Sequence, residues 1–194
     1  KSRMEITTPD ADPNTVWYVT NGLLVNELVS GRMQTGHARF ERRGAAQINV
    51  AGDSDDPDGP TYATFAGLRS RPALPDGALI SQRVTRDGTV SDDPAVAVFG
   101  VTAAQRVQVD GIDHQIASPF WEFMNSSGTI FNGNTYIQGP LFENPYYATG
   151  YPIAEAYWAT VRVLESPVYV LIQCFERRCL TYTPTNTEAW QVEA

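Results

Sequence analysis

Residues 168–184 read Val-Tyr-Val-Leu-Ile-Gln-Cys-Phe-Glu-Arg-Arg-Cys-Leu-Thr-Tyr-Thr-Pro. β-Branched and aromatic residues flank Cys174-Phe-Glu-Arg-Arg-Cys179 on both sides, which is the composition of strands. With Phe175 to Arg178 as a four-residue hairpin loop, the two cysteines oppose each other. Opposed Cβ atoms sit about 4.5–5.5 Å apart, slightly wide for a disulfide and adjustable in a twisted ribbon. The expectation is a Cys174–Cys179 disulfide, with two buried thiols as the alternative. A C-x4-C pair alone is not a zinc site, because zinc takes about four ligands. The two histidines, His37 and His114, lie far off in sequence.

The same segment recurs at the other end. Residues 1–9, K-S-R-M-E-I-T-T-P, align with residues 176–184, E-R-R-C-L-T-Y-T-P, placing Arg3 on Arg178 and Thr8-Pro9 on Thr183-Pro184. Trp17-Tyr18-Val19-Thr20 then echoes Trp190-Gln191-Val192-Glu193, and Phe40-Glu-Arg-Arg43 repeats Phe175-Glu-Arg-Arg178. A partial repeat, 1–22 echoed by 176–194, implies one β-rich domain over 1–194, cut from a larger modular protein. Residues 1–7 then read as a strand that has lost its hairpin partner. An unpaired strand is an open edge, so pairing with another copy, or with a distant strand of this chain, is expected.

Composition narrows the class. The chain has 194 residues, enough to bury a core in one domain, and a net charge of −8. That charge argues against nucleic acid or an anionic membrane as partner. No apolar run approaches the roughly 18 residues of a membrane span. Lys1 in place of an initiator Met implies that a leader or preceding domain has been removed. Few Lys, abundant Thr, Tyr, Asn and Gly, and a paired-looking Cys doublet point to an extracellular protein, secreted or on a cell surface.

Turn signals recur every eight to twelve residues or so, predicting a mainly β fold of short antiparallel strands and hairpins with a few short helices. Asn21-Gly22 is either the turn of a hairpin with arms 17–19 and 23–25 or the start of a helix over 21–28. A strand is expected at 48–50, a helix or strand at 61–68, and a hairpin around Asp87-Gly88. A short helix is expected at 94–99, stopped by Gly100. Residues 101–109 alternate as a strand, 120–124 read as helix, and 131–136 as a hairpin turn. Residues 153–160 read as a short helix, and 161–163 with 168–175 as the last strand pair.

Thr149-Gly-Tyr-Pro-Ile-Ala-Glu155 followed by Gln173-Cys-Phe-Glu-Arg-Arg-Cys-Leu-Thr-Tyr-Thr-Pro184 resembles the G-[YF]-P-[IL]-x-E … Q-x-F-E-R module of large, uncharacterised secreted proteins of Chloroflexota. Residues 18–25, Glu27-Leu28, 61–65 and 118–125 fit the same group, so the resemblance covers nearly the whole chain. The G-x-P-x-x-E and F-E-R pieces are more distantly similar to LGFP repeats of cell-wall-associated proteins. Neither resemblance brings catalytic residues. Cys174 and Cys179 depart from many such modules. Read physically, Gly150 permits an unusual backbone angle, Pro152 fixes the next turn, and Glu155 accepts hydrogen bonds from a nearby Arg, with Arg177 or Arg178 as the candidate for a bidentate pair, or from backbone amides.

Other residues invite chemistry. Asp53, Asp55, Asp56 and Asp58 before Gly59 approximate a calcium loop, although Pro57, an extra residue and the missing downstream Glu fit it poorly; a solvated loop without any cofactor is the plainer reading. Asp110, Asp113 and His114, with Ser118, Ser126 and Ser127 nearby, could compose an acid–base site, yet no nucleophile-elbow motif is present. Glu122 between Trp121 and Phe123 is the pairing of acid and ring that glycosidases use. Tyr146, Tyr147, Tyr151, Tyr157 and Trp158 could form a sugar platform or pack as core. The reading is a non-catalytic extracellular structural or binding module of a bacterial surface or secreted protein, associated with cell-wall or other glycan and assembling with its own copies or neighbouring modules. A secreted hydrolase of glycan or peptide, working through Glu122, Asp110, Asp113 and His114, is the alternative.

Overall fold

The computed structural model describes residues 3–6, 9–36 and 38–194. It is β-rich, 38% strand against 15% helix, which settles the fold class as expected. Strand β1 (Met4–Ile6) pairs antiparallel with β2 (Val19–Asn21), Met4 opposite Asn21 and Ile6 opposite Val19. Of the two expected pairings, Met4–Ile6 takes the one with a strand of the same chain, Ile6 lying opposite Val19 thirteen residues on. Helix α1 (Leu24–Ser30) follows and ends at Gly31, whose φ of 67° is the left-handed value that closes a helix. The helical reading of the Asn21-Gly22 region holds, shifted to start at Leu24, and Asn21 itself ends a strand.

Next come the hairpin β3 (Arg32–Gly36) and β4 (Arg39–Arg42), then α2 (Tyr62–Ala66), started by a reciprocal cap between Thr61 and Thr64. Residues 48–50 form no strand; Asn49 makes a single bridge to Thr61. Strands β5 (Gln82–Val84) and β6 (Val90–Asp92) form the hairpin at Asp87-Gly88. Pro94–Phe99 is a 3-10 helix stopped at Gly100. The chain continues through β7 (Ala103–Val109), β8 (Ile112–Ala117), α3 (Ser118–Met124), β9 (Ser127–Phe131) and β10 (Tyr136–Pro140).

The body is a six-stranded sheet completed by β11 (Tyr157–Val163), β12 (Ser166–Cys174), β13 (Cys179–Tyr182) and β14 (Val192–Glu193). Its order is β14-β13-β12-β11-β5-β6, antiparallel except for β11 beside β5. The expected helix over 153–160 is therefore corrected: 157–160 lie in β11, and Pro152 bridges Phe175 in extended chain. The run Ala-Tyr-Trp-Ala is apolar on both sides because the sheet is covered on both sides, which hides strand alternation.

Side chains alternate between two cores. Tyr157, Ala159 and Val161 of β11 and Val170 and Ile172 of β12 join Val25, Val29 and Phe65 from α1 and α2. Trp158 and Leu171 turn the other way, to Val96, Val107, Ile116 and Phe120, so β7, β8 and α3 cover that face. The disulfide joins Cys174 and Cys179, directly opposed on β12 and β13, as expected.

Buried Gln173 fastens the second face. Its Oε1 accepts from Ala117 N at 3.1 Å, and its Nε2 donates to Gln115 O at 2.6 Å and Ala154 O at 3.2 Å. Gln173→Ala would leave three backbone groups without these bonds in a dry layer. A loss of about 2–3 kcal/mol is expected in urea unfolding; a change below about 0.5 kcal/mol would show that the amide does not hold β8. Reduction of the disulfide should cost about 2 kcal/mol, at the low end because the loop is short, read as a fall in Tm in dithiothreitol.

Candidate functional site

Glu155 is 1% exposed and sits where the Gly150–Glu155 segment enters the sheet. Gly150 takes φ 72°, and a Cβ there would stand 2.7 Å from Glu176 Oε2. The segment runs along the hairpin tip: Glu176 N donates to Tyr151 O, and Ile153 N to Cys174 O, at 3.0 Å each. This aims the Glu155 carboxylate across the sheet at β8. Oε1 accepts from Gln115 N at 2.9 Å and lies 3.1 Å from His114 Nδ1; Oε2 accepts from Leu74 N at 3.2 Å. The expected Arg177 or Arg178 partner is thus replaced by His114. Arg177 turns outward to Thr20 Oγ1 and Asn21 O, tying the β1–β2 ribbon to the hairpin. Arg178 is half-buried, and its Nε has no hydrogen-bond partner.

His114, 4% exposed, lines a cleft of about 460 Å³ between residues 69–73 and the β7–β8 hairpin. Arg69, Ser70, Arg71 and Pro72 form one wall, and Arg106, Ile112 and Asp113 belong to the other. Arg106 holds Asp113 through two bonds of 2.8 Å. The Arg106 guanidinium bond lowers the Asp113 carboxyl below its ordinary range. Deeper in, burial pushes the Tyr157 hydroxyl up to about 12, the Arg71 charge opposing and the Glu155 charge adding. Sequence reasoning singled out His114 and Glu155 separately; only the docking of β8 on the sheet joins them. Arg69 and Arg71 carry no motif.

Two of the hydrolase candidates, Asp113 and His114, line the same cleft, but their side chains serve other partners. Asp113 is committed to Arg106, and His114 faces Glu155. Asp110 is exposed at the β7–β8 turn, and Glu122 is exposed on α3. Ser118 Oγ accepts from Thr102 N, Ser126 Oγ donates to Phe123 O, and Ser127 opens β9. His37 lies outside the described residues.

Three of the four aspartates gather on Arg162, Asp53 and Asp55 at its guanidinium and Asp56 at its amide. Asp53 lies near the amides of Leu164 and Glu165, at 3.3 and 3.4 Å, which are the two non-glycine residues at positive φ in the β11–β12 turn. Asp55 pairs with Arg162. Asp56, 5% exposed, accepts from Arg162 N at 2.8 Å and Asp58 N at 3.0 Å. Among the described residues no three His, Cys, Asp or Glu side chains gather as a metal site. The loop folds by turning its carboxylates onto backbone amides, the usual competitor of metal coordination.

Aromatic rings divide in two. Tyr157 and Trp158 are fully buried, Trp158 donating to Ile80 O at 2.8 Å. Tyr146 stands between Trp121 and Tyr151, ring centroids 6.0 and 5.0 Å away, and Tyr147 meets Trp17 at 5.6 Å. Trp17 is 46% exposed and Tyr151 36%. No family model, curated protein or solved structure matches the chain.

Asp56 gives a pH test. Burial raises its pKa, but the amides of Arg162, Asp58 and Gly59 outweigh this, so the folded value is below the ordinary one. Its stabilisation is therefore full above the unfolded carboxyl pKa, about 3.9, and is lost as pH falls through the lower folded value. Asp56→Asn should lower Tm at pH 7 and flatten the acid limb of Tm against pH; an unchanged acid limb would count against this assignment.

Proposed function

We propose that this chain is an extracellular module of a bacterial surface or secreted protein that serves structure and binding, with glycan as its ligand. The observation that carries this reading is the ring series Trp121–Tyr146–Tyr151, flanked through the adjacent Tyr147 by Trp17, with Tyr151 and Trp17 open to solvent. Aromatic rings that keep a face in water supply apolar area and a polar tip at low entropic cost, the requirement for stacking on sugar rings. The pairing of Asp113 with Arg106 and of His114 with Glu155, with Glu122 and Asp110 exposed on α3 and at the β7–β8 turn, favours binding over hydrolysis. The disulfide fits an oxidising compartment. No described helix is long and apolar enough to cross a membrane.

Kinship with the Chloroflexota modules and the LGFP repeats belongs to the same proposal. Its support is local. Arg3 and Arg178 each stand just before a strand, and each strand pairs antiparallel with one that follows a tryptophan: β1 with β2 after Trp17, β13 with β14 after Trp190. Such ribbons suit end-to-end arrays with neighbouring modules or further copies.

Retention on insoluble peptidoglycan, chitin and cellulose tests the reading. Tyr151→Ala and Trp17→Ala should each weaken retention about tenfold, the loss of one stacking contact, while Leu164→Ala at an exposed turn should leave it unchanged. No retention on any of the three, or equal retention by all variants, overturns the glycan assignment.

A further inference from the structure

The cleft over His114 lies apart from the ring series, and its chemistry is different. Among the described residues, the guanidinium groups of Arg69 and Arg71 make no hydrogen bond and no ion pair, although both line the cleft. This contrasts with Arg3, Arg86, Arg106, Arg162 and Arg177, each of which is committed to a carboxylate, a carbonyl or both. Two free cations on one wall, in a chain of net charge −8, are placed for an oxyanion.

The neighbouring histidine adds a second requirement. An ionised carboxylate only accepts hydrogen bonds, so at 3.1 Å from Glu155 Oε1 the proton sits on His114 Nδ1. Among the described residues Nε2, the other ring nitrogen, makes no hydrogen bond, and it is the ring atom left for a ligand hydroxyl, which can donate or accept. His114 is held against rotation from both sides, since Glu155 also takes Gln115 N, and Gln115 Nε2 is bound to Leu74 O at 3.1 Å and Asp76 Oδ1 at 2.5 Å. The cleft therefore offers two cationic donors and a ring nitrogen of a histidine anchored by Glu155. Pro72, Ala73 and Ile112 supply apolar wall between them. Its volume, about 460 Å³, falls within the range of small-ligand pockets.

We propose that this cleft binds a hydroxylated carboxylic acid of the sugar-acid class, the carboxylate held by Arg69 and Arg71 and a hydroxyl hydrogen-bonded to His114 Nε2. A simple anion uses only the arginines, and a neutral sugar only the histidine; a uronic acid residue uses both. Arg106 and Asp113 neutralise each other and form the rim. The proposal extends the glycan reading to an acidic glycan but does not depend on the aromatic rings.

The test is a titration of the full chain with trigalacturonate, with the corresponding neutral trisaccharide, and with inorganic phosphate, at low salt. Binding is read by calorimetry and by the ring nitrogen signals of His114. Trigalacturonate should bind and shift the Nε2 signal, while the neutral sugar, with only the histidine contact, should bind too weakly to shift it at the same concentration, and phosphate should leave it in place. Arg69→Ala/Arg71→Ala, on an exposed segment, should weaken trigalacturonate binding at least about tenfold with Tm unchanged, and the double Lys variant should recover part of it. Tyr151→Ala should leave this binding intact, so failure of the ring platform and failure of the cleft are separate results. Absent binding, phosphate binding as tight as the uronate, or equal loss in the Tyr151 variant each overturns the proposal.

Discussion

Two buried polar side chains, one in the central sheet and one at its entry, are satisfied by the position of β8. Gln173 and Glu155 face the second core, beside Trp158, Leu171 and Phe175, where water does not reach. Left unpaired, each would cost on the order of 1–3 kcal/mol. Their partners are the backbone of residues 115–117, the His114 ring and the amide of Leu74. Hydrophobic burial brings the β7–β8 hairpin to the sheet; these bonds fix its register, because a slip of one residue would move His114 and Gln115 to opposite faces. The cleft, the His114 orientation and the path of residues 69–76 follow from that register.

The amino-terminal ribbon is attached by charge. Arg3 grips Glu27 with bonds of 2.8 and 2.9 Å, and Gln34 N adds a third at 3.0 Å. Burial raises the Glu27 pKa, but the Arg3 guanidinium and the Gln34 amide bring it below its ordinary value. Arg177 reaches the same ribbon from the hairpin tip, and Asn26 N donates to Glu176 O at 3.0 Å. The F-E-R tetrapeptide thus serves as a clamp: Phe175 is core, Glu176 holds the Gly150-Tyr151 turn, and Arg177 holds β2.

The surface divides into regions with separate tasks. The acidic loop closes the β11–β12 turn, where Leu164 and Glu165 take left-handed angles that cost roughly 1–2 kcal/mol each and that Asp53 helps to offset. The aromatic series lies along α3 and residues 146–151. The arginine cleft opens beside the β7–β8 hairpin. The buried Glu155 carboxylate faces the histidine that lines this cleft.

The sequence by itself determined what depends on neighbours along the chain. Alternating β-branched residues around C-x4-C specify the hairpin and its disulfide, Asp87-Gly88 and Gly100 specify a turn and a helix stop, and Pro94 a helix start. Each is set by backbone angle or cross-strand pairing within a few residues. It could not specify what depends on which surfaces meet. Residues 153–160 look helical because burial on both faces erases the strand period, and Glu155 looks like a partner for Arg177 because both lie in one recurrent motif. Only the tertiary structure set Glu155 on His114, gave Met4–Ile6 its partner in Val19–Asn21, and placed Arg69 and Arg71 over the same histidine. Those contacts join residues well separated along the chain, and that of Glu155 with His114 rests on the free energy of satisfying buried polar groups, which no local pattern encodes.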